Sequence, residues 1–403
     1  MRCAGLVALA AACACAATSN DPGFPVPPPP APLDASLDPP HDPVTHQITD
    51  LAIETSMDSG SDAQLASSMA NDDAPVLAAA TSEVWLKGST HVHARPSGDS
   101  SEPIPHVIQW YEAHHYDFIV LTDHNRVSEV AGDTQGQIAV RAPATGLIVL
   151  AGIELTHNPT GCLPQGDKRK RCRIHVNALG VTGRPGGKLE WADRKSHQRI
   201  DMYQAALVAS KALGTGVVQI NHPQWLWGMT GDLLAQIARR GAHLVEIENS
   251  QFVKWGLGDK DHPSMEAIWD TALAQGVEMW GVASDDAHDY NGKKTAKYPA
   301  GGAWVVVKAR REPQAILDAL ASGHFYATTG ISLDHAEVDA GDLVVGVAAS
   351  ESGQFAIQWI ENGALVDTVT GKTARRAIPQ AGFIRAVVLR DDGKKAWIQP
   401  ARR

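Results

Sequence analysis

The chain has 403 residues, 44% of them apolar, which suits one large α/β domain with appendages rather than a single small one. Its net charge of -10 is unevenly placed: residues 19–80 hold ten acids and no Lys or Arg, leaving 35 of the 45 acids against 35 basic residues elsewhere. A near-neutral body offers no basic surface, so nucleic acid is not expected as a partner, and Lys168–Arg171 reads as a solvated loop.

Residues 1–18 have the form of a secretory signal peptide: Arg2 is followed by small apolar residues from Ala4 to Ala17, too short a run to span a bilayer as a helix. Cys13 and Cys15 loosely resemble a bacterial lipoprotein cleavage site, so a lipid anchor to the membrane stands beside soluble export to the periplasm or medium. Residues 19–80, with the polyproline run Pro27–Pro30 and mutually repelling acids, are expected to be a disordered Pro/Asp-rich linker. Outside the leader only Cys162 and Cys172 remain; in an oxidising compartment they would close one small loop, and otherwise they are two reduced thiols.

From residue 81 apolar runs alternate with amphipathic patterns, as in β/α units on a parallel sheet. The predicted strands are Val84–His91, Asp117–Leu121, Leu147–Leu155, His175–Val181, Val217–Ile220, His243–Ile247, Val277–Ala283 and Ala303–Val307. The predicted helices are Pro103–His115, Asp201–Leu213, Asp232–Arg240, Ser264–Gln275 and Pro313–Ala321, most of them stopped by a glycine. Such an order suggests a (β/α) barrel over 81–333, whose functional residues gather at the C-terminal ends of its strands. Residues 334–403 switch to short alternating strands, read as a small antiparallel β-domain.

The chemistry begins with His91 and His93. At i and i+2 on a strand they share a face, so both imidazoles can reach one ion. His124, Glu154, His175, His222, Asp286 and His288 each stand at or just after the end of an apolar run, with Asp99 on the first such loop. This mixed nitrogen and oxygen set suits Zn, Mn or Fe and lacks the thiolates of a structural zinc site. It exceeds the needs of one ion. Two or three divalent metal ions sharing Glu154 or Asp286 as a bridge would use it fully, supplying a metal-bound hydroxide to attack a small ester. Asp123 and Asp285, beside the ligands, are candidate orienting or proton-accepting groups, and His157 a candidate proton donor to the leaving group. Arg95 and Arg126 lie on neighbouring loops, where they could grip a substrate phosphate or carboxylate. Trp225 and Trp227 could wall an apolar substrate. His106, His114 and His115 fall in a helix and are left as surface or packing residues; His157 and His324 are ambiguous.

The segments HVHARPSGD, FIVLTDHN, LAGIEL, INHP and ASDDAH occur in the order found in the PHP (polymerase and histidinol phosphatase) family of metal-dependent hydrolases, which this chain resembles. The ending ASDDAH, with AWVVVKA, ILDALASGHFYATTG and AVVLRDDGKKAWIQP after it, is similar to the CehA/McbA-type branch. The resemblance runs from about Val84 to the C-terminus and implies a distorted (β/α)7 barrel with a two- or three-metal site. By motif position it assigns His91, His93, His124, Glu154, His175, His222, Asp286 and His288 to the metals. One departure stands out: the motif places Asp five residues after the second His, where this chain has Gly98, with Asp99 one later. The expected activity is hydrolysis of a small-molecule phosphoester. A carbamate or amide hydrolase of the CehA type, and a non-catalytic metal-containing binding module, are the alternatives. No protein partner is indicated.

Overall fold

Apolar, β-branched runs bounded by Gly and Pro form the strands, and the intervening amphipathic segments form helices, so the architecture is α/β. The computed structural model describes residues 82–130, 136–214, 216–293 and 296–403; the signal peptide and linker expected over 1–80 lie outside the described residues. In chain order the elements are β1 (Val84–Val92), α1 (Ile104–Ala113), β2 (Phe118–Leu121), β3 (Ala139–Arg141), β4 (Ile148–His157), β5 (Ile174–Leu179), α2 (Arg199–Ala212), β6 (Val217–Ile220), α3 (Gly231–Arg239), β7 (Leu244–Asn249), α4 (Val253–Gly256), α5 (Met265–Leu273), β8 (Trp280–Ser284), β9 (Trp304–Ala309), α6 (Pro313–Ser322) and β10 (Phe325–Thr328). Then follow β11 (Leu333–Asp339), β12 (Asp342–Val347), β13 (Phe355–Glu361), β14 (Ala364–Thr370), β15 (Thr373–Ala377), β16 (Ile384–Arg390) and β17 (Lys395–Ala401). Thr230 and Ser264 cap α3 and α5 with side-chain oxygens, as their residue types favour. No helix among the described residues is long and apolar enough to cross a membrane.

The strands make a large mixed sheet ordered β14-β13-β16-β17-β10-β9-β1-β2-β4-β5-β6-β7-β8, with β3 beside β4, and a smaller antiparallel sheet β11-β12-β15. β1, β2 and β4 are parallel, as are β6, β7 and β8. β5 departs from the all-parallel expectation: it runs antiparallel to both β4 and β6. The β4–β5 connection contains no helix to carry the chain back across the sheet, so the strand returns beside its predecessor in the opposite sense. Cys162 and Cys172 are joined by a disulfide within that connection.

The C-terminal strands also differ from expectation. β13, β14, β16 and β17 do not form a sheet of their own; they extend the large one through β10, and only β11, β12 and β15 stand apart. Arg385 of β16, 2% exposed, clamps Asp270 of α5 through two bonds of 2.6 and 2.8 Å and reaches Glu266 at 3.0 Å. Gln399 exchanges two bonds with the backbone of Gly281 in β8.

The end of β1 sets up the site. The β1–β2 register shifts between Ser89 and Val92, an irregularity that re-aims the side chains beyond it. Val92 bridges Ala287, and the His93 N–H donates to the Ala287 carbonyl at 3.0 Å, so the segment after β8 lies against the end of β1. Gly152 admits close strand approach: a Cβ there would meet Val120 Cγ1 at 2.6 Å and the Leu121 carbonyl at 2.8 Å. Glu154, two residues on, is thereby held deep in the sheet.

Candidate metal centre

His91 near the end of β1 and His93, the first residue after it, turn to one side, and the neighbouring strand ends bring the other ligand-type residues to meet them. Glu154, fully buried on β4, is the hub. Its Oε1 lies 2.9 Å from His175 Nδ1, 3.4 Å from His91 Nε2 and 3.6 Å from His222 Nε2. Its Oε2 lies 2.5 Å from His124 Nδ1 and 3.6 Å from His93 Nε2. Asp286 provides a second hub, with Oδ1 3.1 Å from His91 Nε2 and 3.2 Å from His93 Nε2. Asp99, the side chain 36% exposed, forms the outer edge: Oδ2 is 2.9 Å from His124 Nε2 and 3.2 Å from His288 Nε2. The short helix Arg95–Ser97 ends on Gly98 at φ 94, and this left-handed turn delivers Asp99 to the cluster despite its shifted position.

All nine residues expected as metal ligands therefore meet in one place. Their donor atoms fall into groups within 4.8 Å: His93, Asp99, His124 and His288; His91, His93 and Asp286; His124, Glu154 and His175; and His91 and His222 with Glu246. Three observations fit this set to cations. Nε2 of His91 and His93 are buried without a hydrogen-bond partner, although each faces Asp286 Oδ1. The ion pairs around Glu154 and Asp286 are all to histidine, with no Lys or Arg among the described residues to neutralise them. Two ring tautomers are preset as well. His288 Nδ1 donates to the Asp286 carbonyl at 2.8 Å and His91 Nδ1 to Glu246 at 2.7 Å, which leaves Nε2 of each ring as the nitrogen turned to the carboxylates.

The electrostatics agree. Burial favours the neutral forms of Glu154, Asp286 and Asp99, but the surrounding imidazoles overcome it and hold all three carboxyls below their ordinary range. Burial also works against protonated His91 and His124, yet the facing carboxylates raise both well above the usual imidazole value; His288 is raised in the same way by Asp99. His93 goes down to about 3 through burial and the neighbouring His288, and His175 to about 4 through burial. His222 and Asp286 hold left-handed backbone, at φ 23 and φ 47, as does Asn125 at φ 52. Such conformations persist where surrounding contacts impose them and cluster at functional sites.

The remaining expected residues sit as follows. Asp123 accepts from Ala94 N–H at 2.7 Å and from the Ser128 hydroxyl, tying the loop after β2 to the end of β1; burial pushes its carboxyl up to about 6. Asp285 accepts from Ser89, from Tyr111 at 3.2 Å and from Gly301 N–H at 2.7 Å, and burial pushes it up to about 6. The bonds of both acids go to groups outside the ligand set. His157 is half-buried at the end of β4, its pKa lowered by burial, its ring edge-on to Trp191. Arg95 is spent on its own loop, donating twice to the Ser101 carbonyl at 3.0 and 3.2 Å, whereas Arg126 is exposed. Trp225 packs 5.4 Å from the ring of His222 and 5.6 Å from that of His175, with Phe252 behind it at 4.5 Å. Trp227 stacks on His262 instead.

Glu246 and Asn221 escaped the sequence reading. Asn221 donates to Glu154 Oε1 at 2.9 Å and to Asn177 at 2.8 Å. Glu246 carried a usable signal, an acid between Val245 and Ile247 in an apolar strand, the same signal that marked Glu154. Scanned against models of known protein families the chain matches none, and no curated protein is detectably similar to it.

Proposed function

We propose that the chain is a metal-dependent hydrolase of the PHP type, acting on a small ester and foremost on a phosphoester. The observation that carries this reading is the position of Glu154: one buried carboxylate within 3.6 Å of five imidazoles, with Asp286 and Asp99 opposite. His91, His93, His222, Glu154 and Asp286 would hold one ion, and His124, His175, Asp99 and His288 would complete the places beside it. Such ions, when bound, polarise an ester and make water a nucleophile at neutral pH. The chain itself turns the imidazole nitrogens of His91 and His288 toward the carboxylates, excludes solvent from Glu154 and leaves Asp99 at the open side. His157 is the candidate proton donor and Arg126 the candidate grip on an anionic group; Arg95 would first have to release Ser101. The Val92–Ala287 bridge supports reading the sheet from β1 to β8 as a distorted barrel. The Cys162–Cys172 bond supports an oxidising compartment, and so export.

The aromatic wall of Trp225 and Phe252 beside His222 favours a second reading, hydrolysis of a neutral aryl carbamate or amide. The test is metal content of the purified protein together with turnover of p-nitrophenyl phosphate, its diester and an aryl carbamate, in the wild type and in Glu154→Gln. Two or more equivalents of metal and one substrate class lost in the variant are expected. Bound metal without turnover of any substrate would leave a binding module. Metal near zero after replete preparation would refute both enzymatic readings.

A further inference from the structure

Glu246 lies on β7, 1% exposed, and its donor atoms group with His91 and His222, which at first sight makes it another ligand. Its bonds argue otherwise. Oε1 receives His91 Nδ1–H at 2.7 Å, the Ser284 hydroxyl at 2.5 Å and Gln219 Nε2 at 3.2 Å; Oε2 receives the His222 backbone N–H at 2.6 Å and Asn249 Nδ2 at 2.9 Å. Five donors occupy the acceptor directions of one carboxylate, which has about four lone-pair sites. No direction is left for an ion.

We propose, on the premise of the metal centre above, that Glu246 is a positioning residue that loads the site through two histidines at once. Through Nδ1 it fixes the orientation of the His91 ring, so that the buried Nε2 is the nitrogen offered to an ion between Asp286 and Glu154. Through the backbone N–H it holds His222 at φ 23, a conformation a non-glycine residue leaves unless held, with the His222 ring stacked 5.7 Å from that of His91. One buried carboxylate thus spans the two walls that an ion on the inner side must bridge. All five neighbours donate, so an amide in this position meets a donor whichever way it turns. With its NH2 toward His91 it drives the proton to Nε2, where no metal can bind; with its NH2 toward His222 it loosens the strained backbone.

The test is titration of the full chain with zinc and with cobalt(II), comparing wild type, Glu246→Gln and Ser284→Ala, each first shown to be folded by circular dichroism. Glu246→Gln is expected to bind the same number of ions at saturation, with the cobalt visible bands unchanged in shape, but with affinity at one site lowered by about 10- to 100-fold. Ser284→Ala, which removes one donor and leaves the carboxylate, should lose about 3-fold; it stands alone should Glu246→Gln fail to fold. Unchanged affinity in the folded variants overturns the proposal. An equivalent lost at saturation, with a changed cobalt spectrum, makes Glu246 a ligand and overturns it too. A wild type that binds no metal overturns the proposal together with the metal centre, an outcome visible before any variant is compared.

Discussion

Adding zinc or manganese to chelated protein should raise its melting midpoint by about 8 °C, and Glu154→Gln should remove more than half of that gain. The overlapping donor groups around Glu154, Asp286 and Asp99 would hold two ions on the reading proposed above. An ion that binds only the folded chain, present at 100 times its dissociation constant, adds about 2.7 kcal/mol, so two add about 5 kcal/mol. Unfolding entropy near 2.1 cal/mol/K per residue over ~320 residues amounts to roughly 0.7 kcal/mol/K, and the ratio gives the shift of about 8 °C. Glu154 faces His91, His93, His124, His175 and His222, so exchanging its charge for an amide should weaken each inner group at once. Differential scanning calorimetry with EDTA, and then with stepwise metal, reads the effect directly. A wild type whose midpoint does not move, or a variant that keeps the full gain, would refute the reasoning.

The metal-free protein should lose stability as pH rises above about 6.5. His91, His124 and His288 have folded values above the unfolded one, so their pairing is complete below that pH and lost as pH climbs through the folded values; bound metal should reverse the trend, and a flat chelated limb from pH 6.5 to 8.5 would contradict it. Arg385→Ala leaves Asp270 and Glu266 without their buried partner and should cost about 3–5 kcal/mol in urea unfolding. Reducing the Cys162–Cys172 bond, whose partners are 10 residues apart, should cost about 3 kcal/mol on loop entropy and loosen the segment carrying Asn158, which meets His175 Nε2 at 2.8 Å. Proteolysis between Gly161 and Arg171 under reducing conditions would report it.

The candidate ligand set was legible because strand chemistry and strand geometry point the same way. A polar residue at the end of an apolar run is costly unless it is used, and the period of two places His91 and His93 on one face. The nine expected ligands converge for that reason, Asp99 included, although its place one residue late became intelligible only with the left-handed turn at Gly98. Roles were less legible than membership. Asp123 and Asp285 stand beside ligands in sequence yet spend their oxygens on Ala94, Ser89 and Tyr111, because neighbours along a strand end point to opposite faces.

What the sequence determined by itself was local: which runs form strands, where helices stop, and which side chains are too polar to be buried idly. Pairing was decided by the tertiary structure alone. Nothing in residues 174–179 tells β5 to run antiparallel, nor in residues 384–401 to extend the sheet through β10; those choices depend on the length of a connection and on an edge left open many residues away. Glu246 belongs to the same class. Its residue type marks it as buried and in use, but its work is set by Asn249 on its own strand and by four donors from β1, the end of β6 and β8, and only the folded chain brings them to one carboxylate.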